Sequence, residues 1–178
     1  MLKIGDRAID FSLPGTDGRI YTLSSFVIAK AIAIIFTCNH CPCAQSYQDR
    51  IIAIQKEYEQ KGLRIVAINP NDAENYPEDS FDAMVERAKE RKYNFPYLRD
   101  EMQEATEAYG AEVTPDVFLF DQKKILRYRG RIDDNWRDPS KVRSQDFKNA
   151  IDAVLSGKEP PVKEARAVGC SIKWKEPD

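Results

Sequence analysis

Apolar and polar positions change period along the chain, and each change marks an element. Phe11 to Leu23 holds two short apolar arms around Gly15-Thr16-Asp17-Gly18, which predicts a β-hairpin. Ala31 to Phe36 is an unbroken apolar run, the pattern of a strand buried on both faces. From Ala44 to Gly62 the residues Tyr47, Ile51, Ile54 and Tyr58 recur at intervals of three and four, which predicts an amphipathic helix stopped at Gly62. Leu63 to Ile68 is again strand-like, so a right-handed βαβ unit is expected. Asn69 to Ser80 is rich in Pro, Asn and Asp and reads as a loop, with Ser80 capping a helix to about Lys92 that carries Phe81, Met84, Val85 and Ala88 on one face.

Phe95 to Leu98 is a short extended piece, and Glu101 to Tyr109 a short helix ending at Gly110. Val117 to Phe120 and Ile125 to Ile132 form the arms of a second hairpin around Asp121 to Lys124. In its second arm, Leu126, Tyr128 and Ile132 are expected on one face and Arg127, Arg129 and Arg131 on the other. Ser144 to Leu155 is a last helix, stopped at Gly157, and the tail 158–178 reads as irregular. A parallel pair followed by an antiparallel hairpin, with helices between, predicts one α/β domain over residues 1–178 with a mixed central sheet flanked by helices.

Composition narrows the function classes. The 178 residues are 42% hydrophobic and 31% charged with a formal net charge of −2, the profile of a globular chain. There is no basic stripe for nucleic acid. The longest apolar run is too short to span a bilayer, so no membrane association is expected. Met1 to Arg7 meets charge at once and lacks a leader-like apolar stretch, which gives the expectation of a cytoplasmic protein.

Three of the four cysteines lie in Cys38-Asn39-His40-Cys41-Pro42-Cys43, directly after the first core strand and before the first long helix. Clustering of this kind points to redox or metal chemistry in a reducing compartment, whereas a disulfide scaffold spreads its cysteines. A helix start aims N–H groups and the positive dipole end at the sulfur, and the thiolate is the nucleophile. Cys38, at or near the N-cap, is read as the attacking thiol and Cys41, one turn on, as the resolving one. The reverse order stays open, because Cys-Pro in a first turn also suits a nucleophile. Thr37 and His40 stand where they can bond to or tune the sulfur. Cys43 reads as a packing residue or a third exchange partner. Cys170 either packs under the tail or returns to the dithiol as an additional redox cysteine. Cys38, Cys41 and Cys43 with Cys170 or His40 also offer four metal ligands, but two paired knuckles are missing and no metal site is assigned. The acidic stretch from Asp72 to Asp79 reads as a solvated loop, and the arginines of the second hairpin as a solvated edge. The loop Asp133 to Val142, with Asn135 and Trp136, either borders the dithiol or lies in solvent.

Cys38-x-x-Cys41 after the first core strand and Val113-Thr114-Pro115 before the hairpin resemble the thioredoxin fold. The block Gly5 to Phe26, with Asp10-Phe11-Ser12-Leu13-Pro14, resembles its peroxiredoxin and thiol-disulfide reductase branch, the alkyl hydroperoxide reductase/thiol-specific antioxidant type. Cys38 to Pro42, Ala67 to Asn69, Tyr76 to Ser80, Phe95 to Leu98, Tyr128 to Asp134 and Gly169 to Trp174 are similar to a peroxiredoxin-like group. The resemblance implies a thioredoxin-like fold with an N-terminal hairpin extension and a cis-proline at Thr114-Pro115 that orients an extended partner. It implies a thiol-disulfide oxidoreductase without organic cofactor, exchanging electrons with protein or small-molecule disulfides and with a dithiol protein. A thiol peroxidase acting on hydroperoxides is the rival enzyme; a non-catalytic binding or metal-holding module is the rival of another class. The peroxiredoxin spacing Pro-x-x-x-Thr-x-x-Cys is not kept: no proline stands in Ala31 to Phe36, and Thr37 is four residues before Cys41.

Overall fold

A computed structural model describes residues 1–177. The first hairpin is present as β1 (Leu13–Pro14) and β2 (Ile20–Tyr21). There follow β3 (Ala31–Phe36), α1 (Pro42–Tyr58), β4 (Leu63–Asn69), α2 (Phe81–Glu90), β5 (Tyr97–Arg99), α3 (Glu104–Tyr109) and β6 (Val113–Thr114). The chain ends with β7 (Asp116–Asp121), β8 (Leu126–Gly130), α4 (Asp146–Leu155), β9 (Glu164–Ala165) and β10 (Cys170–Ser171). The central sheet runs β5-β4-β3-β7-β8-β9, with β3 parallel to β4 and antiparallel to β7.

Both faces of the sheet are covered. Ala31, Ala33 and Ile35 point to the side packed by Tyr47, Ile51, Ile54 and Tyr58 of α1, Met84 of α2 and Phe147, Ala150 and Ile151 of α4. Ile32, Ile34 and Phe36 point to the other side, packed by Ala105 and Tyr109 of α3 and by Leu2, Phe11 and Phe26. A strand buried on both faces needs no polar alternation, which is why the β3 sequence is uniformly apolar. Ser80 caps α2 by accepting a hydrogen bond from the Ala83 N–H at 3.2 Å.

The second hairpin departs from simple alternation. Leu119 pairs with Tyr128 but Phe120 pairs with Leu126, so Arg127 is the extra residue of a β-bulge. One extra residue reverses the facing of what precedes it. Leu126 therefore packs with Phe120 on the α3 side, while Tyr128 and Ile132 pack on the α1 side. The expected solvated arginine edge is also corrected. Arg129 lies over the Phe118 ring at 4.8 Å, donates to the Gly110 carbonyl at 2.7 Å and faces Asp116 at 3.8 Å.

Most of the tail is irregular, as expected, but two short strands dock it. β9 adds a parallel strand beside β8, and β10 pairs antiparallel with β6. Two glycines admit this strap. A Cβ on Gly130 would stand 1.6 Å from the Ala165 carbonyl oxygen, and one on Gly169 would stand 2.1 Å from that of Thr114. Neither site tolerates a side chain while the tail is docked.

The carboxyl ends of β3 and β4, the start of β7 and the end of β8 all meet at one edge of the sheet, where loops converge. Phe118, fully buried in β7, holds edge-to-face contacts with Phe36 and Tyr109 behind that edge. Phe118→Ala is expected to lower the unfolding free energy by about 3–5 kcal/mol in urea denaturation, the cost of an aromatic-sized core cavity.

Candidate active site

The sheet edge brings four chain segments around the cysteines. The first is the loop after β3. Helix α1 starts at Pro42, with Cys41 in extended conformation as its N-cap. Cys41, not Cys38, therefore stands at the positive end of the helix dipole, but its side chain accepts no capping hydrogen bond; the backbone N–H groups of His40 and Cys41 act on the Cys38 sulfur instead. Cys38 stands before the helix in a non-helical loop, which corrects both its expected N-cap position and the placing of Cys41 one turn further on. The reason is Pro42, whose fixed φ and missing N–H suit the first helical position.

The second segment is the turn into β7. The Thr114–Pro115 peptide bond is cis, as the resemblance implied. Thr114 stands between both cysteines: its Oγ1 lies 3.3 Å from Cys38 Sγ, and its carbonyl oxygen lies 3.6 Å from Cys41 Sγ. Thr37, expected to bond the sulfur, is buried and anchors the loop instead through its N–H to the Ile68 carbonyl at 2.8 Å.

The third segment is the loop after β4. The acidic stretch expected to lie in solvent turns inward at Asp79, which is fully buried. Its carboxylate accepts hydrogen bonds from Asn39 N–H at 2.6 Å, Asn69 Nδ2 at 3.1 Å and Asn71 Nδ2 at 3.0 Å, and it pairs with His40 Nδ1. His40 stacks flat on Tyr76. The sulfur of Cys38, a ring nitrogen of His40 and a carboxylate oxygen of Asp79 lie within 4.8 Å of one another. Asn39 locks the same loop, donating from Nδ2 to the Glu78 carbonyl at 2.9 Å and accepting from the Tyr97 hydroxyl at 2.7 Å. Asp79 and Asn39 were not singled out as site residues in the sequence. The available signal was Asn69-x-Asn71 and Tyr76 to Ser80 following directly on a core strand.

The fourth segment is the tail. Cys170 is joined to Cys41 in a disulfide, with Cα atoms 6.1 Å apart, while Cys38 and Cys43 are free thiols. The sulfurs of Cys41, Cys43 and Cys170 lie within 4.8 Å of one another. Cys43 thus sits against the disulfide, with Trp136 packed on the same cluster. Trp136 arrives on a loop tied down by Asp133, which accepts from the Tyr47 hydroxyl at 2.8 Å and pairs with Arg50 at 2.8 Å. Arg131 is turned away to Asp146 at 2.6 Å.

Burial sets the electrostatics. Cys41 is 0% and Cys38 1% exposed, and Cys170 is the partly exposed member of the group. Burial first, and the Asp79 charge second, push the Cys38 thiol from its ordinary 9.0 up to about 11, against the hydrogen bond from Thr114. The low-pKa thiol expected at Cys38 is therefore not found in this state. Burial likewise raises the Cys43 thiol. Just beyond the cis-proline, burial lifts the Asp116 carboxyl to about 6, with Arg129 opposing.

The profile of the AhpC/TSA family matches residues 4–129, and the chain belongs to that family. It superposes with a TM-score of 0.94 on an uncharacterized conserved protein of Geobacillus kaustophilus, 40% identical, covering 100% of this chain and 95% of the other. A hypothetical protein of Sinorhizobium meliloti 1021 gives a TM-score of 0.91 at 36% identity, covering 98% and 96%. The thiol-disulfide oxidoreductase ResA of Halalkalibacterium halodurans is 24% identical over 122 residues, which are 68% of this chain and 65% of that protein's length. The fold is thioredoxin-like, with a mixed sheet between helices. Among the described residues, no helix is long and apolar enough to cross a membrane.

With Cys41 and Cys170 bonded, site-resolved alkylation of native protein is expected to leave Cys38 almost unmodified at pH 7 and to rise only toward pH 11. A carboxylate beside a thiolate disfavours the charged form, so Asp79→Asn shifts that profile to lower pH. An unchanged profile in the variant removes the electrostatic role given to Asp79.

Proposed function

We propose that the protein is a thiol-disulfide oxidoreductase acting through Cys38 and Cys41. The observation that carries this reading is the position of Thr114. It precedes a cis-proline and touches both sulfurs, one through its hydroxyl and one through its carbonyl. Family membership and the name of the ResA relative support the same chemistry. Of the two orders of attack, the N-cap position of Cys41 favours it as the nucleophile, since it stands at the positive end of the helix dipole while burial and the Asp79 charge hold Cys38 protonated.

In this reading the Cys41 thiolate attacks one sulfur of a substrate disulfide. The substrate S–S bond breaks, and the departing sulfur takes up a proton. Cys38 then attacks Cys41, giving its own proton to the His40–Asp79 pair beside it. The Cys41–substrate bond breaks, and a second substrate thiol leaves. Two electrons pass to the substrate, and Cys38–Cys41 is left as a disulfide for an external dithiol protein to reduce. No organic cofactor takes part. The substrates are disulfides of proteins or small molecules, and the cysteine clustering supports work in a reducing compartment such as the cytoplasm.

Reduction of a protein disulfide coupled to a dithiol donor tests this. Cys41→Ser is expected to fall to the uncatalysed background. His40→Ala is expected to slow turnover by about 10²-fold, the lower end for a lost proton-transfer group. Retention of full rate by Cys41→Ser overturns the reading. Hydroperoxide consumption at a higher rate than disulfide reduction replaces it with the peroxidase.

A further inference from the structure

The tail does more than cover the site. β10 lies antiparallel to β6 with Cys170 opposite Thr114 and Ser171 opposite Val113. This is the backbone edge that the cis-proline leaves for an extended partner. The ladder continues with Ile172, whose N–H donates to the Glu112 carbonyl at 3.2 Å and whose side chain is buried in the α3-side core. Gly169 passes so close to Thr114 that only a residue without Cβ fits. The chain thus supplies its own cysteine-bearing strand to its own partner groove.

The strap is held on both sides of that strand without help from the disulfide. Before it, β9 pairs with β8. After it, Lys173 N–H donates to Asn71 Oδ1 at 3.0 Å, and the Lys173 carbonyl accepts from Asp72 N–H at 2.8 Å and from Gln103 Nε2 at 3.0 Å. Lys175 adds an ion pair to Glu101 at 2.7 Å. The segment between these anchors carries Val168 exposed and Cys170 half-buried. An arriving thiol therefore meets Cys170 before it meets Cys41.

We propose that Cys170 is a third redox cysteine, which takes the sulfur of Cys41 in competition with Cys38 and whose strand closes the partner groove while the bond lasts. The proposal rests on the oxidoreductase reading and extends it. After Cys41 has formed a mixed disulfide with substrate, the Cys170 thiolate attacks Cys41. The bond between Cys41 and substrate breaks, and the substrate thiolate leaves and is protonated. For reset, one thiolate of an external dithiol attacks Cys170; the Cys41–Cys170 bond breaks and Cys41 leaves as thiolate. The second thiol of the donor then displaces Cys170. The donor ends as a disulfide, Cys41 and Cys170 end as thiols, and the segment between the anchors is free to leave Thr114.

Peptide mass mapping of the full chain after mild oxidation with glutathione disulfide reads the bond directly. Wild type is expected to give mainly the 41–170 link, and Cys170→Ser the 38–41 link. Reduction of the oxidised protein by dithiothreitol is expected to be about tenfold slower in Cys170→Ser, since the accessible sulfur is gone. Tryptic cleavage at Arg166 in wild type is expected to rise about fivefold on reduction, because an unbonded strap opens locally. Should Cys170→Ser fail to fold, the wild-type mapping and cleavage decide alone. A wild type that reduces disulfides yet maps only to 38–41 overturns the role of Cys170 and leaves the oxidoreductase standing. A 41–170 bond that survives excess dithiothreitol in native protein makes it a permanent staple and likewise overturns the proposal. A wild type with no disulfide reduction at all overturns the underlying function instead.

Discussion

The arrangement depends on one residue, Thr114, and on the cis bond that follows it. An antiparallel strand must enter the sheet beside β3 at the edge where β3 ends, and the chain reaches it through Thr114–Pro115. The turn puts Thr114 to use in three ways. Its hydroxyl faces Cys38, its carbonyl faces Cys41, and its backbone pairs with Cys170. Three cysteines separated by up to 132 positions in the chain meet because they share this one neighbour.

A second constraint fixes the loop that carries the first two cysteines. Asn39 and His40, the residues between them, do not face solvent as a variable dipeptide. Both are tied to Asp79, one through its N–H and one through its ring. A buried carboxylate is tolerated only where donors surround it, and four groups supply them here. Burial, and after it the same negative charge beside Cys38, keeps that thiol protonated. Both cysteines are buried, and two elements of opposite character set their surroundings apart: a helix end beside Cys41 and a carboxylate beside Cys38.

Much of the scaffold was legible in the sequence, because β3, α1, β4 and α4 declare themselves through uninterrupted or helically spaced apolar residues. The reversal at Leu126 was not, since a bulge is a property of the pairing of two strands and leaves no mark in either one's alternation. The inward turn of Asp79 was hidden in a stretch whose composition is that of a solvated loop; only the placing of Asn69 and Asn71 converts it into a buried network. The docking of the tail was hidden too. Arg166 to Gly169 has no strand pattern, and its order comes from Gly130 and Gly169 admitting close backbone approach. The cis-proline and the clustered cysteines were legible as a motif, but the identity of Cys41's partner was set by tertiary placement.

The anchoring of the strap also sets a selectivity threshold. A strand tethered on both sides of Cys170 competes for the Thr114 edge at an effective concentration on the order of millimolar or above. A loose cysteine-containing peptide at cellular abundance loses that contest. Under the proposed function, a protein client wins that contest by bringing additional surface, so among protein clients selection falls on the folded body more than on the sequence around the cysteine.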